Sequence, residues 1–190
     1  MTSRVTASQY RAGFFGIPMS EHPQPQPQPQ PQAADQQPMF GIEKIYLKDL
    51  SLELPNAPQV FFEREAPQVE VNMHNQATGL AQPGYFEVVL TVTITAKIQE
   101  KTVFLVEAAQ AGIFQIRNLQ QPEIEAVLGT LCPNTLLPYA REAVSSVVQR
   151  AGFPPVTLQH MNFEAIYHQR LQQMQAQQAS AGSPPAAPAH

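Results

Sequence analysis

The chain has few of the features that cross-link proteins or anchor them in membranes. Cys132 is the only cysteine among its 190 residues, so no disulfide can form within the chain, and a reducing compartment is indicated. No run of about eighteen apolar residues occurs, so we expect no membrane-spanning helix. Arg4 and Arg11 are not followed by an apolar segment. We therefore expect no secretory signal peptide and a cytoplasmic protein.

An excess of positive charge is also lacking. The formal net charge is −4 at pH 7, and residues 41–175 hold nine Lys and Arg against thirteen Asp and Glu. A mildly acidic domain without a basic stripe is poorly suited to binding phosphate backbones, so we expect no nucleic-acid partner. A basic protein partner stays open, because opposite charges steer two proteins together.

Groups that could form a catalytic or metal site are sparse. The sequence contains neither a Gly-rich phosphate loop nor a dinucleotide fingerprint. Cys132 could be a reactive thiolate or, more commonly, a small buried apolar residue. Glu164 and His168 lie four residues apart and could present two metal ligands, but no further ligand is in register. We expect no enzyme, no cofactor and no metal site.

Proline and glutamine dominate the start of the chain, where they alternate over residues 23–32. Proline at every second position favours an extended chain without internal hydrogen bonds. We interpret residues 1–40 as a disordered Pro/Gln-rich extension and residues 176–190 as a disordered tail. The extension is either a solvated spacer or a ligand for a proline-recognising domain. Met39 leaves an internal start codon open.

Four segments between these tails alternate apolar and polar residues, which predicts β-strands. They cover residues 45–54, 69–74, 86–98 and 102–117. In the first, Tyr46 shares a face with Leu50 and Leu52. Asp49 and Glu53 lie on the opposite face. The short connections favour an antiparallel meander or a close variant of it.

Three helical segments follow the strands. Pro122 suits the first position of a helix, which we expect to end near Cys132 and Pro133. Asn134 can cap a second helix, with Pro138 in its first turn, and a third starts at Asn162. Strands followed by helices predict an α+β fold, in which a four-stranded antiparallel sheet carries helices on one face.

The loop between the last two helices, residues 152–161, is apolar for an exposed connection. It contains Phe153, Val156 and Leu158. Such a loop either packs as a lid over a groove or closes the core. The residues alone favour closure of the core, because most apolar side chains are buried for stability.

Six segments resemble the SecB family of bacterial export chaperones: residues 45–58, 85–90, 112–114, 131–142, 152–155 and 162–165. Their order and spacing run through about two-thirds of the chain, so residues 41–175 look like a SecB-like chaperone domain. The resemblance implies a homotetramer that is a dimer of dimers. It also implies ATP-independent holding of unfolded secretory precursors and their delivery to the SecA ATPase.

The resemblance also implies three sets of site residues. SecA, through its basic, zinc-bearing tail, would bind at Asp49, Glu53, Leu105 and Glu107. Unfolded clients would bind in a groove formed by Val69, Val71, Met73, Phe153, Tyr167 and Leu171. Oligomerisation would involve Val106, Ala108 and Gln110, on the fourth strand, together with the first long helix.

Three alternative functions remain open at this point. SecB-like proteins also serve toxin–antitoxin systems, although the match at Asp49 and Glu53 favours export. The Pro/Gln extension could make the protein an adaptor. An enzyme acting on a small ligand in a helix-covered groove would depend on His160 or His168.

Overall fold

The structure is a computed structural model that describes residues 37–181, with the side chains of residues 178–181 left aside. The Pro/Gln tract and the end of the C-terminal tail lie outside the described residues. Within residues 37–181, no helix is long and apolar enough to cross a membrane.

The chain forms four strands and then three helices, which confirms the α+β prediction. The strands are β1 (Met39–Glu53), β2 (Gln68–Gly79), β3 (Tyr85–Ile98) and β4 (Lys101–Arg117). The helices are α1 (Gln121–Gly129), α2 (Leu131–Arg150) and α3 (Phe163–Ala181), and a 3₁₀ helix (Gln59–Phe62) lies between β1 and β2. β1 begins earlier, and β2 ends later, than the sequence indicated.

The four strands form one antiparallel sheet in the order β1-β4-β3-β2. β2, β3 and β4 are the consecutive strands of a meander, while β1 lies beside β4. This order is that of a Greek key, the close variant of a meander that the sequence left open. The connection over residues 54–67 must therefore cross from one edge of the sheet to the other.

One sheet face, here called the inner face, packs against the helices. Every second residue of β3 is buried on it, and Phe114 of β4 is completely buried. Close packing extends to Gly112, where a Cβ atom would lie 2.8 Å from Cε2 of Phe114. The buried residues of β3 and α2 are Val88, Leu90, Val92, Ile94, Ala96 and Ile98, and Cys132, Pro133, Leu136, Leu137, Ala140, Ala143, Val144 and Val148.

The other face is here called the outer face, and its residues on β1 differ from the prediction. Tyr46 pairs with Ala111 and Asp49 pairs with Ala109, with a register shift between Leu47 and Asp49. This β-bulge changes the alternation. Tyr46 therefore shares the outer face with Asp49, and its assignment to the face of Leu50 was wrong.

The boundary between the first two helices was also wrong. α1 ends at Gly129 and α2 begins at Leu131, so Cys132 and Pro133 lie in the first turn of α2. The first-turn N–H groups of a helix have no partner within it, which lets Pro133 start the helix and not break it. Asn134 is not the cap, and Pro138 lies inside the helix.

α3 begins as the sequence indicated but continues further. The Ala165 N–H donates to Oδ1 of Asn162 at 3.0 Å, so Asn162 caps the helix. The helix then continues to Ala181. Residues 176–181, assigned to the disordered tail, are therefore helical, consistent with the high helix propensity of Ala and Gln.

Candidate functional site

The four residues predicted to bind SecA all lie on the outer face. Glu53 pairs with Leu105, and the neighbouring Ser51 pairs with Glu107. Asp49 follows on the same side of β1, opposite Ala109. The structure therefore brings the predicted residues together on one face of two adjacent strands.

The carboxylates of this group are exposed and carry uncompensated charge. Asp49, Glu53 and Glu107 are exposed, and within residues 37–181 none of them is in an ion pair. Oγ1 of Thr93 donates a hydrogen bond to Oε2 of Glu107 at 3.1 Å. A cluster of this kind attracts a positively charged partner and helps to orient it. We call Asp49, Glu53, Leu105 and Glu107 the acidic surface.

A hydrogen-bonded cluster beside the acidic surface was not expected from the sequence. Nζ of Lys48 lies 2.8 and 2.9 Å from the carboxylate oxygens of Glu87, which also accepts a hydrogen bond from the Tyr46 hydroxyl. The hydrogen bond with Glu87 raises the pKa of Tyr46 to about 12, and that from Lys48 lowers the pKa of Glu87. We call these three residues the Glu87 cluster.

A signal for the cluster is present in the sequence. Apolar Leu47 and Leu50 are separated by two residues, so regular strand alternation would put them on opposite faces. A bulge at Lys48 puts both on the same face. A bulge there moves Tyr46 to the outer face. The partner Glu87 comes from a distant strand, and only the tertiary structure identifies it.

On the opposite side of the sheet lies a groove with a volume of about 1080 Å³. It is bounded by β2, the loop after α2 and the first turns of α3. Five of the six residues predicted to bind clients line this groove: Val69, Val71, Met73, Phe153 and Tyr167. Leu171 is half-buried and is not in the lining.

The apolar side chains of β2 are unusually open for a sheet. Val69 is 46 % exposed and Val71 is 40 % exposed, and both belong to the inner-face register. Exposed apolar residues next to one another mark an interaction site more often than isolated ones do. α1 reaches β2 at Asn75, whose Nδ2 donates to the Leu128 carbonyl at 3.1 Å. Val69 and Val71, further along the same strand, are left exposed and lie on the floor of the groove.

The loop of residues 152–161 has both of the roles that the sequence left open. Leu158 is buried in the core. Phe153 lines the groove, and its ring stacks on Phe61 at 5.3 Å and tilts against Phe104 at 5.1 Å. The loop therefore closes the core at one point and forms a wall of the groove at another.

Several lining residues were not identified from the sequence. Phe61 lies on the crossing connection and had no periodic pattern to identify it, and Arg170 lies on the groove side of α3. Gly129 was also overlooked. A Cβ at Gly129 would lie 2.6 Å from Cδ2 of Tyr167, so the absence of a side chain lets this ring approach α1.

The residues assigned to oligomerisation lie inside the chain. Val106 and Ala108 are completely buried and Gln110 is 4 % exposed, all on the inner face. Nε2 of Gln110 donates to the Tyr46 carbonyl at 2.9 Å. These side chains do not reach the surface, so an influence on a second copy would have to pass through β1 or α2.

The groups considered for chemistry do not form a reactive site. Cys132 is completely buried, and burial raises the pKa of its thiol to about 12. The thiol is therefore protonated at neutral pH and is a poor nucleophile. His160 and His168 are exposed and do not line the groove. Within residues 37–181, no three metal-ligating side chains lie close enough to hold an ion, and Glu164 has only His168 nearby in sequence.

Known proteins with similar sequences agree on one family. The model of the family "SecB: Preprotein translocase subunit SecB" matches residues 33–174. A protein-export protein SecB of Methylobacillus flagellatus is 62 % identical over 74 % of this chain and 89 % of its own length. The corresponding protein of Dechloromonas aromatica is 58 % identical over 73 % of this chain and 91 % of its own length.

A solved structure agrees on the fold. A SecB-like chaperone of Mycobacterium tuberculosis, in complex with a ChAD peptide from an antitoxin, superposes with a TM-score of 0.55 at 20 % identity. The match covers 64 % of this chain and 90 % of that one. The family match over most of the chain, the identity to the curated relatives and the α+β fold together show that this chain belongs to the SecB family.

Proposed function

We propose that this chain is an ATP-independent chaperone of the cytoplasm that holds secretory precursors unfolded and delivers them to SecA. Membership of the SecB family assigns it to protein export, and the family is one of chaperones and not of enzymes. The observation that carries the holding function is the groove of about 1080 Å³ beside the exposed valines of β2.

The groove has the chemistry that an unfolded chain requires. Its floor and walls are mainly aliphatic and aromatic, including Met73 and Phe153, and Glu63, Glu65 and Arg170 add charge to the lining. The apolar side chains can bind apolar segments without demanding one sequence. β2 is an edge strand, so its free backbone groups can pair with an extended client. Many weak contacts along one client add up through multivalency.

The acidic surface supports the second step, in which SecA receives the client. Its carboxylates are exposed and, within residues 37–181, in no ion pair, and a basic, zinc-bearing tail of SecA has the complementary charge. The groove and the acidic surface lie on opposite faces of one sheet. SecA can therefore dock while the client is still bound.

Assembly into a homotetramer, a dimer of dimers, is supported by apolar side chains at two exposed places. β1 is an edge strand on which Ile42 and Leu47 are 49 % and 45 % exposed. On α2, Leu131 and Tyr139 are 43 % and 51 % exposed. A second copy on each of these elements would bury apolar area and cover the strand edge.

The test combines function and mass. A chemically unfolded secretory precursor is diluted with and without the purified protein, without ATP, and aggregation is followed by light scattering. We expect suppression by a species of about four times the 21.0 kDa chain mass. A monomer or dimer that leaves aggregation unchanged would show that the chain has the family's fold without its function.

The other functions give different results in the same system. A chaperone of a toxin–antitoxin system would protect an antitoxin and not a secretory precursor. An adaptor would lose its partners when residues 1–38 are deleted, whereas an export chaperone built on residues 41–175 would keep both client and SecA binding.

A further inference from the structure

The acidic surface depends on one irregular residue in β1. Leu47 pairs with Gln110, and Asp49 pairs with the next residue, Ala109, so Lys48 is the extra residue of a β-bulge. Unbroken alternation from Tyr46 would turn Asp49 toward the helices, because a shift of one residue exchanges the two faces. The bulge is thus what puts Asp49 on the outer face.

The Glu87 cluster ties the bulge to the sheet from the outer side. Both donors, the Tyr46 hydroxyl and Lys48 Nζ, belong to the bulged part of β1, whereas Glu87 belongs to β3. Since β4 lies between these strands, the cluster bridges three strands. Ala111 is opposite Tyr46 in register, and its small side chain leaves room for this bridge.

Gln110 ties the same place from the inner side. A bulge interrupts the hydrogen-bond ladder and leaves backbone groups in need of other partners. Nε2 of the buried Gln110 donates to the backbone carbonyl of Tyr46 at 2.9 Å. This hydrogen bond between the Gln110 amide and the Tyr46 carbonyl fixes the local backbone, because the loss of either partner would leave the other without a hydrogen bond.

We propose that Gln110 and the Glu87 cluster together hold the Lys48 bulge, and that they thereby aim Asp49 at the basic partner of the outer face. The inference rests on the proposed SecA site. Gln110 is a positioning residue, because its side chain is buried on the inner face and cannot touch a partner bound on the outer one.

We call Gln110 and the Glu87 cluster the clamp. The experiment is a double-mutant cycle between the clamp residue Gln110 and Asp49. Gln110→Met keeps the length of the side chain and removes the amide. SecA affinity is measured by calorimetry in the wild-type and Asp49→Ala backgrounds. We expect Gln110→Met to weaken SecA binding about threefold to tenfold in the first background and hardly at all in the second, because coupled residues are non-additive.

Hydrogen exchange of the free protein reads the bulge directly. Amides of residues 46–50 should exchange faster in Gln110→Met, since a released bulge opens locally. Gln115→Met is the control: Gln115 is also buried on β4 and hydrogen-bonded, to Tyr85, but it pairs with Gly41, next to the separate register shift between Ile42 and Lys44 and away from Lys48. Tyr46→Phe serves as a second variant that removes only the hydroxyl.

The outcomes separate the inference from the function on which it rests. Equal losses of SecA affinity in both backgrounds, or unchanged exchange in both clamp variants, would overturn the inference. Faster exchange confined to residues 46–50, with an effect on SecA that needs Asp49, would support it. If Asp49→Ala alone leaves SecA binding intact, the proposed SecA site fails, and the role of the clamp in aiming Asp49 at SecA fails with it.

Discussion

The two faces of the sheet share the same strands but differ in what they offer to a partner. On β2 the inner-face residues Val69 and Val71 are apolar and border a groove, whereas the alternating outer-face residues Glu70 and Asn72 are polar. On β1 the outer face carries the exposed Asp49 and Glu53, neither of which is in an ion pair within residues 37–181. Under the proposed function, strand alternation would let one sheet bind an unfolded chain on one side and a folded, basic module on the other.

The groove and the acidic surface should also differ in how well they tolerate substitutions. In the proposed function the groove would bind clients through apolar area and shape, so a charge buried by the client would be costly there. The acidic surface would bind through exposed charges, each of which contributes little and is screened by salt. Substitutions should therefore have larger effects in the groove than on the outer face.

The largest effect should come from placing a charge in the groove. Val71→Asp should weaken binding of an unfolded precursor by about tenfold or more, because the carboxylate loses water when an apolar client covers it. Fluorescence titration with an unfolded precursor measures the change. The matched control is Asn72→Asp, which adds the same charge one residue away on the outer face. Similar losses in both variants would contradict a groove on the inner face.

The next effect concerns the acidic surface. Asp49→Ala combined with Glu53→Ala should weaken SecA binding about tenfold at low salt, with client binding unchanged, because opposed charges govern the encounter. Calorimetry at low and high salt checks this. Glu100→Ala combined with Glu125→Ala is the control, because it removes the same amount of charge from the turn after β3 and from α1, outside the acidic surface. Unchanged SecA affinity in the first pair would exclude this site.

A moderate effect is expected where the Tyr167 ring of the groove wall contacts α1. Gly129→Ala adds a methyl group whose carbon would lie 2.6 Å from Cδ2 of Tyr167, so the ring and the start of α3 must shift. Overpacking of this kind costs about 1–3 kcal/mol. Urea unfolding measures the cost, and client affinity should fall as well. Gly79→Ala is the control, because no atom lies within 4 Å of its Cβ position.

The smallest effect is the pH dependence of the Glu87 cluster. The Lys48 and Tyr46 donors lower the pKa of Glu87 below its usual value of 4.5. The cluster should therefore stabilise the fold fully above that value, and this contribution should disappear as pH falls through the lowered pKa. The difference in urea midpoint between wild type and Glu87→Gln should shrink on acidification. A constant difference would show that the ionised carboxylate is unimportant.

Secondary-structure elements with a strong local sequence pattern were predicted correctly. The alternation of residues 86–98 identified β3 because every second side chain is buried, and Asn162 identified the start of α3 because its side chain caps the helix. The motif around Cys132 identified the family but misplaced a helix boundary, since Pro133 was taken as a breaker when it lies in a first turn.

For the candidate sites, strand alternation put Asp49 with Glu53 on a face of one strand and Leu105 with Glu107 on a face of another. The family resemblance supplied their role, and the pairing of β1 with β4 brought the four to one face. The roles of these residues, and of the groove residues, remain predictions. Tyr46 was put on the wrong face because the spacing of Leu47 and Leu50, which signals a bulge, was not used, and only the pairing with β4 shows which residue bulges. Phe61 and Gly129 were missed because their partners, Phe153 and Tyr167, lie far away in sequence.

By itself, the sequence determined the α+β class, the four strands, the family and the charge of the outer face. These follow from local periodicity, capping and motif order, which depend on neighbouring residues. Only the tertiary structure decided the order β1-β4-β3-β2, the opening beside β2 and the bulge at Lys48. Each of these depends on which distant segments pair, and on where the helices stop covering the sheet.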